Sequence, residues 1–341
     1  MLCLITRAAN PDKMRQRSRV LVTVSAIFVV LVFFGFVLMQ AFAPSPNGQY
    51  PDRIRSEAIP EDAQKGQPAT DDHPPILHSS LWFEPIPLEG PINTAGAEDS
   101  PFILPDGNTL YFFFTPDVSK TPQEQLFDQV TGIWSSNWNG SDWSEPKRVW
   151  LQDADKLALD GAAFVQGDSM WFASAREGYT GLNLFTAQLQ NGEWKDWQYA
   201  GDLVNKDFQV GEMHLSADGK EMYFHSNRTG GMGGLDIWVM KYLNGEWQTP
   251  SNLEMVNSDE DEGWPFVSQD GNELWFTRTY MGTPAIYRSL LVDGNWSTPE
   301  LIVSTFAGEP TLDVQGNLYF VHHFYENNVM IEADIYVAYK K

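Results

Sequence analysis

From about residue 100 onward, apolar and polar positions alternate in short runs broken by glycine-containing turns, the period-2 pattern of half-buried strands. Five stretches align on their turns: SPFILPDGNTLYFFF from Ser100, GAAFVQGDSMWFAS from Gly161, EMHLSADGKEMYFHS from Glu212, GWPFVSQDGNELWFTR from Gly263 and EPTLDVQGNLYFVHH from Glu309. Each reads as a strand, a turn and a second, aromatic strand. A third strand follows in every unit: GIWSSNW from Gly132, NLFTAQL from Asn183, DIWVMKY from Asp236, AIYRSLL from Ala285 and DIYVAYK from Asp334. In the first four units an Asn-Gly or Asp-Gly turn then leads into a fourth strand opening at Trp143, Trp194, Trp247 or Trp296, because such dipeptides suit the positive φ angles of a two-residue hairpin. Those tryptophans are spaced 51, 53 and 49 residues apart.

A four-stranded unit repeated at that spacing is the signature of a β-propeller. The fifth unit runs only to its third strand, which reaches Lys341. The missing Trp-x-x-Pro strand stands at the other end of the domain, in SSLWFEPIPL, Ser79 to Leu88. The pattern therefore predicts an all-β, five-bladed β-propeller over residues 79–341, its last blade closed by an N-terminal strand so that neither end of the ring leaves an unpaired edge.

The pattern changes before that domain. Residues 20–42 are apolar except for Thr23, Ser25 and Gln40, a length that matches one full crossing of a bilayer rather than the shorter core of a cleaved leader. Residues 1–19 carry Arg7, Lys13, Arg15, Arg17 and Arg19 against Asp12, which predicts a cytoplasmic tail, a transmembrane helix (signal anchor) at 20–42 and everything beyond it outside the cytoplasm. Residues 43–78 hold seven prolines, scattered charges and almost no apolar periodicity; they read as an extended, disordered stalk.

Charge narrows the partners. Removing the five basic residues and Asp12 from totals of 22 and 45 leaves 17 Lys and Arg against 44 Asp and Glu outside the anchor, a formal charge of −27. Such a surface repels nucleic acid and anionic headgroups. The single cysteine, Cys3, lies in the basic tail, so the exported part has neither disulfides nor cysteine metal sites. No cofactor motif is present: NRTGGMGG, Asn227 to Gly234, lacks the lysine and following helix of a phosphate cradle.

Two stretches, SADGKEMYFHSNRTGGMGGLDIW from Ser216 and INTAGAEDSPFILPDGNTLYF from Ile92, resemble the WD-repeat-like blade of TolB-type periplasmic propellers, which also occurs beside OmpA-like domains. The resemblance covers residues 80–341 and departs in the second unit, where Gln166-Gly167 replaces Asp-Gly and Trp197 stands in the proline position. It implies a propeller outside the cytoplasm that acts through protein or ligand contacts.

In a propeller the first strands of successive blades converge on one mouth of the channel. Asp99 with Glu98 beside it, Asp160, Glu212, Glu262 and Glu309 align at those strand starts, and Arg176, Arg228, Arg278, His322 and His323 follow the second strands. The expected site is thus an acidic mouth, with Asp99, Asp160, Glu212, Arg228, Glu262, Arg278 and Glu309 contacting an envelope protein, peptide or glycan. The alternative is glycoside hydrolysis by Asp99, Asp160 and Glu212, with Asp99 activating water and Glu212 protonating the leaving group. The insertion Ser119 to Val130 is expected to add about two helical turns beside that mouth.

Overall fold

The computed structural model describes residues 50, 54–154, 156–205 and 210–341. The predicted crossing at 20–42 lies outside these residues; among those described, no helix is long and apolar enough to cross a membrane. The fold is all-β and propeller-type. Two short strands come first, β1 (Ile76–Leu77) and β2 (Ile86–Pro87). Unit 1 comprises β3 (Ala97–Ile103), β4 (Thr109–Thr115), β5 (Gly132–Asn137) and β6 (Lys147–Arg148); unit 2 comprises β7 (Ala158–Gln166), β8 (Ser169–Arg176), β9 (Asn183–Gln190) and β10 (Glu193–Tyr199). Unit 3 comprises β11 (Val210–Leu215), β12 (Glu221–Ser226), β13 (Asp236–Leu243), β14 (Glu246–Trp247) and β15 (Ser251–Asn252). Unit 4 comprises β16 (Glu262–Val267), β17 (Glu273–Tyr280), β18 (Thr283–Val292), β19 (Asn295–Trp296) and β20 (Glu300–Ser304), and unit 5 comprises β21 (Ala307–Leu312), β22 (Leu318–Glu326) and β23 (Val329–Ala338).

Within each unit the strands pair antiparallel in chain order. Units 5 and 1 are joined into one eight-stranded sheet by a single parallel contact, Ala333 with Ala97. The apolar cores lie between units: one runs through units 1 to 3, one joins 3 to 4, one joins 4 to 5, and one joins 5 to 1, where Tyr319, Ile335 and Val337 meet Ile103, Leu110 and Phe112. Last and first repeat are neighbours.

The segment SSLWFEPIPL lies along the free edge of β23. Trp82 bridges to Lys340, Ile86 pairs with Val337, and the Phe83 and Leu88 N–H groups donate to the carbonyls of Tyr339 and Ile335. The proline of each Trp-x-x-Pro motif marks a break in the fourth strand. A Trp contact near the hairpin precedes it (Trp82, Trp143, Trp247, Trp296) and a separate short strand follows it (β2, β6, β15, β20), as expected of a residue with no N–H to give to the ladder. Unit 2, with Trp197 in that place, keeps one continuous strand, β10.

Three short helices are present among the described residues, α1 (Arg55–Ala58), α2 (Pro122–Asp128) and α3 (Asp202–Asn205). The second is the predicted insertion, held by a capping box between Thr121 and Glu124. The expectation of a disordered stalk fails over residues 54–78. Ile76 and Leu77 add a strand to the edge of unit 4, and Arg55, Lys65 and Asp71 form ion pairs with units 1 and 5. Composition misleads here because its partners are buried charges far along the chain, invisible to a count of local apolar periodicity.

Candidate functional site

Every first strand carries a bulge, between Asp99 and Phe102, Gly161 and Phe164, Val210 and Met213, Gly263 and Phe266, and Gly308 and Thr311. At its centre Ser100, Ala162, Trp264 and Glu309 adopt positive φ of 46° to 57°, a left-handed conformation that costs a non-glycine residue about 1–2 kcal/mol and commonly re-aims side chains near functional sites. The bulge corrects the expected ring. Glu98, Asp160 and Glu262 stand before it, whereas Glu212 and Glu309 occupy it, level with Ser100, Ala162 and Trp264. The seven predicted residues thus fall into two layers.

In the outer layer each acid is matched by an arginine lying over aromatic rings of its own unit. Arg176 reaches Asp160 at 2.8 Å and donates to the Leu151 carbonyl, its guanidinium 4.3 Å from the Trp197 centroid. Arg278 reaches Glu262 at 2.6 Å, donates to the Val256 carbonyl and covers Tyr287. Arg228 donates to Ser226 and to the Val204 carbonyl and covers Phe224 and Trp238, with Val210 where units 1, 2 and 4 have an acid and unit 5 has Ala307. Unit 1 has no arginine after its second strand. Its place is taken by Arg55, which reaches Glu98 at 3.0 Å, donates to the Ile92 carbonyl and lies over Phe112, Phe114 and Trp134. Burial pushes Glu98 up to about 7 against the pull of Arg55. These pairs neutralise one another within the fold, with Arg55 Nε and Asp160 Oδ2 left without a hydrogen-bond partner among the described residues.

A second recurring group escaped the sequence reading. Asn93, Asn205 and Asn257 each accept a backbone N–H and donate to the carbonyl of the same residue, Ile335, Leu184 and Ile237 respectively. Each follows an Ile or Val and stands five residues before the outer-layer position. That spacing was the available signal.

The inner layer encloses a chamber of about 30 Å³ lined by Ser100, Ala162, Glu212, Trp264 and Glu309, room for about one or two waters. Asp99 stands at its edge, its carboxylate accepting from the Ser100 N–H, with His323 Nε2 3.7 Å away. Burial pushes the Asp99 carboxyl up, but His323 and the Ser100 N–H outweigh it and hold it below the usual carboxylate range. Burial drives Glu212 up to about 8, and the Asp99 charge adds to the rise. Glu309 is raised well above its ordinary value by burial and then by the charges of Asp99 and Glu212. The chamber thus sets two carboxyls with raised pKa, Glu212 and Glu309, beside Asp99, whose pKa is lowered.

One step further along the channel, Phe102, Phe164, His214 and Phe266 form a constriction, with ring centroids 5.2, 4.5 and 4.5 Å apart in that order. Burial pulls His214 down to about 3, so it is neutral and packs as an aromatic. Beyond the constriction the channel widens into a cavity of about 860 Å³ on the face carrying the turns between first and second strands. Its walls include Val165, Val267, Leu312 and Val314; its rim carries Asp106, Asp270, Glu273 and Asp313. The open mouth is therefore opposite the acidic one. Among the described residues, no group of three or more His, Cys, Asp or Glu is placed to hold a metal ion.

No protein-family model matches the chain, and no curated protein does. Solved structures match it at low similarity. TolB from Acinetobacter baumannii matches at 14% identity and a TM-score of 0.42, over 73% of this chain and 55% of that one, so the chain spans about half the length of that protein. An endo-arabinase from Bacteroides thetaiotaomicron matches at 13% identity and a TM-score of 0.47, over 71% of this chain and 94% of that one. A Bombyx mori β-fructofuranosidase has the same identity and score over 72% and 61%. A shared site does not follow from likeness at this level.

Proposed function

We propose that this chain is a binding propeller of the cell envelope: five blades closed by the Trp82 to Pro87 segment, of the TolB-like type its motifs resemble, tethered by an N-in crossing at 20–42 and held in the periplasm. Its partner is an envelope protein, peptide or glycan, entering by the turn-side cavity rather than the acidic mouth. The observation that carries this reading is the contrast between about 860 Å³ on one side of the aromatic constriction and about 30 Å³ on the other, since pockets that accept ligands run to several hundred Å³. The exposed acids Asp106 and Asp270 and the apolar walls favour a partner that presents an apolar group beside a cation.

A photo-crosslinking residue at Val314, which lines the cavity, should capture a discrete envelope partner in intact cells. The same residue at Val292, on an outer hairpin and equally exposed, should capture none. Equal capture from both positions, or capture from Val292 alone, would remove the reading.

A hydrolase is the second reading, for one reason: an ionised Asp99 beside a Glu212 raised to about 8 is the division of roles between base and acid that glycoside hydrolysis uses. Against it, Asp160 is held by Arg176 and the chamber is too small for a sugar ring. Release of sugar from a glycan panel, abolished by Glu212→Gln, would revive it.

A further inference from the structure

We infer that residues 54–78 are a clasp that completes the ring, a fixed part of the propeller rather than a spacer before it. Units 2 and 4 each contain an arginine that lies over aromatic rings, bonds a backbone carbonyl on the connection entering the unit, and pairs with the acid on the first strand. Unit 1 has the acid, the carbonyl and the rings, but its arginine comes from 43 residues upstream. Arg55 makes all three contacts and is buried with Glu98.

Unit 5 is braced by the same segment through different contacts. Lys65 bonds both Glu332 and Asp334 of β23, Gly66 packs so closely on Phe324 that an added Cβ would fall 2.7 Å from its ring, and Asp71 pairs with His322 Nε2 at 2.8 Å. The clasp then enters unit 4 as β1 before returning to unit 5 at Trp82. Removing it would leave Glu98, Glu332 and Asp334 without their counter-charges, and an uncompensated buried charge is strongly destabilising. It would also uncover His322, next in sequence to the His323 that faces Asp99, and so open the inner chamber from the acidic side. The clasp holds whether or not the channel binds a partner.

The test uses the full chain with a protease site inserted at Ser80, in the exposed stretch between β1 and Trp82, cut after folding. The released N-terminal fragment should stay with the propeller through gel filtration, and backbone amides of residues 54–77 that are bonded within the protein should exchange as slowly as those at strand edges. Arg55→Ala and Lys65→Ala should each release the fragment at least about tenfold faster, while Lys120→Ala, at an exposed pair, leaves release unchanged. Prompt loss of the wild-type fragment, or exchange over 54–77 at the rate of unstructured chain, would overturn the clasp. If Arg55→Ala does not fold, Lys65→Ala and the wild-type exchange data still decide, and equal retention in Lys65→Ala and the wild type counts against it.

Discussion

Arg55 shows what a single residue contributes when its partner is fully buried. Truncation by Arg55→Ala orphans the Glu98 carboxylate, and urea unfolding should register a loss of about 3 kcal/mol; adding Glu98→Gln, which removes the orphaned charge, should restore part of it. The acid was legible in the sequence at the start of the first strand, but its arginine was not, because nothing in RSEAIPED announces a partner in another element. A shorter turn in unit 2 likewise hid the true levels of the carboxylates: anchored on their turn glycines Glu212 and Asp160 align, but Val165 pairs with Met170 where Leu215 pairs with Met222, and the two acids sit in different layers. Titration provides a second residue-level test. Glu98 and Glu332 are pushed up to about 7 and Asp334 to about 6, by burial first in each case. Their share of stability is complete below the unfolded carboxylate value and is lost as pH rises through 6 to 7. His214 and His225, depressed by burial to about 3 and about 4, act in the opposite sense, their share being present above the unfolded imidazole value and lost as pH falls below it. Between pH 5 and 7 the three raised carboxyls outweigh the two depressed imidazoles, so urea midpoints measured from pH 5 to 9 should be highest at the acid end and fall as pH rises. His214→Phe, which copies units 1, 2 and 4, should steepen that fall below about pH 6.5; an unchanged curve would show that His214 is not neutral in the folded chain.

Among the elements, the strand carrying Trp82 bears the most consequence. Trp82 is 1% exposed, donates to the Gly316 carbonyl at 2.9 Å and meets Trp275 edge-on, whereas the adjacent Phe83 is 56% exposed. Trp82→Ala should cost about 4 kcal/mol and Phe83→Ala less than about 0.5 kcal/mol, a contrast that thermal melts resolve. The Trp-x-x-Pro pattern was readable because tryptophan and proline recur at fixed spacing. Its mechanical sense, a strand cut in two by a residue that cannot donate, needed the pairing of the four cases and the counter-example of β10. The asparagines were harder to read, since Asn93, Asn205 and Asn257 look like turn residues and in fact act as an extra rung of backbone. Asn257→Ala should leave the N–H of Ile237 unmatched and its carbonyl with the Leu253 N–H alone, and cost about 2 kcal/mol; a loss within experimental error would mean that water replaces the amide.

Across the whole molecule, alternation and repeat spacing carried the all-β, propeller-type reading, and a shared core packs unit 5 on unit 1. They could not say which mouth is open, because that depends on how bulky side chains at one level, Phe102, Phe164, His214 and Phe266, block the channel. Replacing His214 and Phe164 together with alanine should join the two spaces and let a small solute reach Glu212, detectable as carboxyl modification that the wild type resists. The docked course of residues 54–78 has a further consequence for reach. With 20–42 proposed as the crossing, a contact with the propeller is already made at Tyr50, whose ring stacks on Trp150 and whose hydroxyl donates to the Gln152 carbonyl, and the seven residues between at full stretch extend about 25 Å at most. A stalk beginning its domain at 79 would have allowed roughly five times that. On that proposal the propeller is confined to a thin shell next to its own membrane, able to meet partners rooted in that same bilayer or freely diffusing ones, and short of anything fixed much farther out.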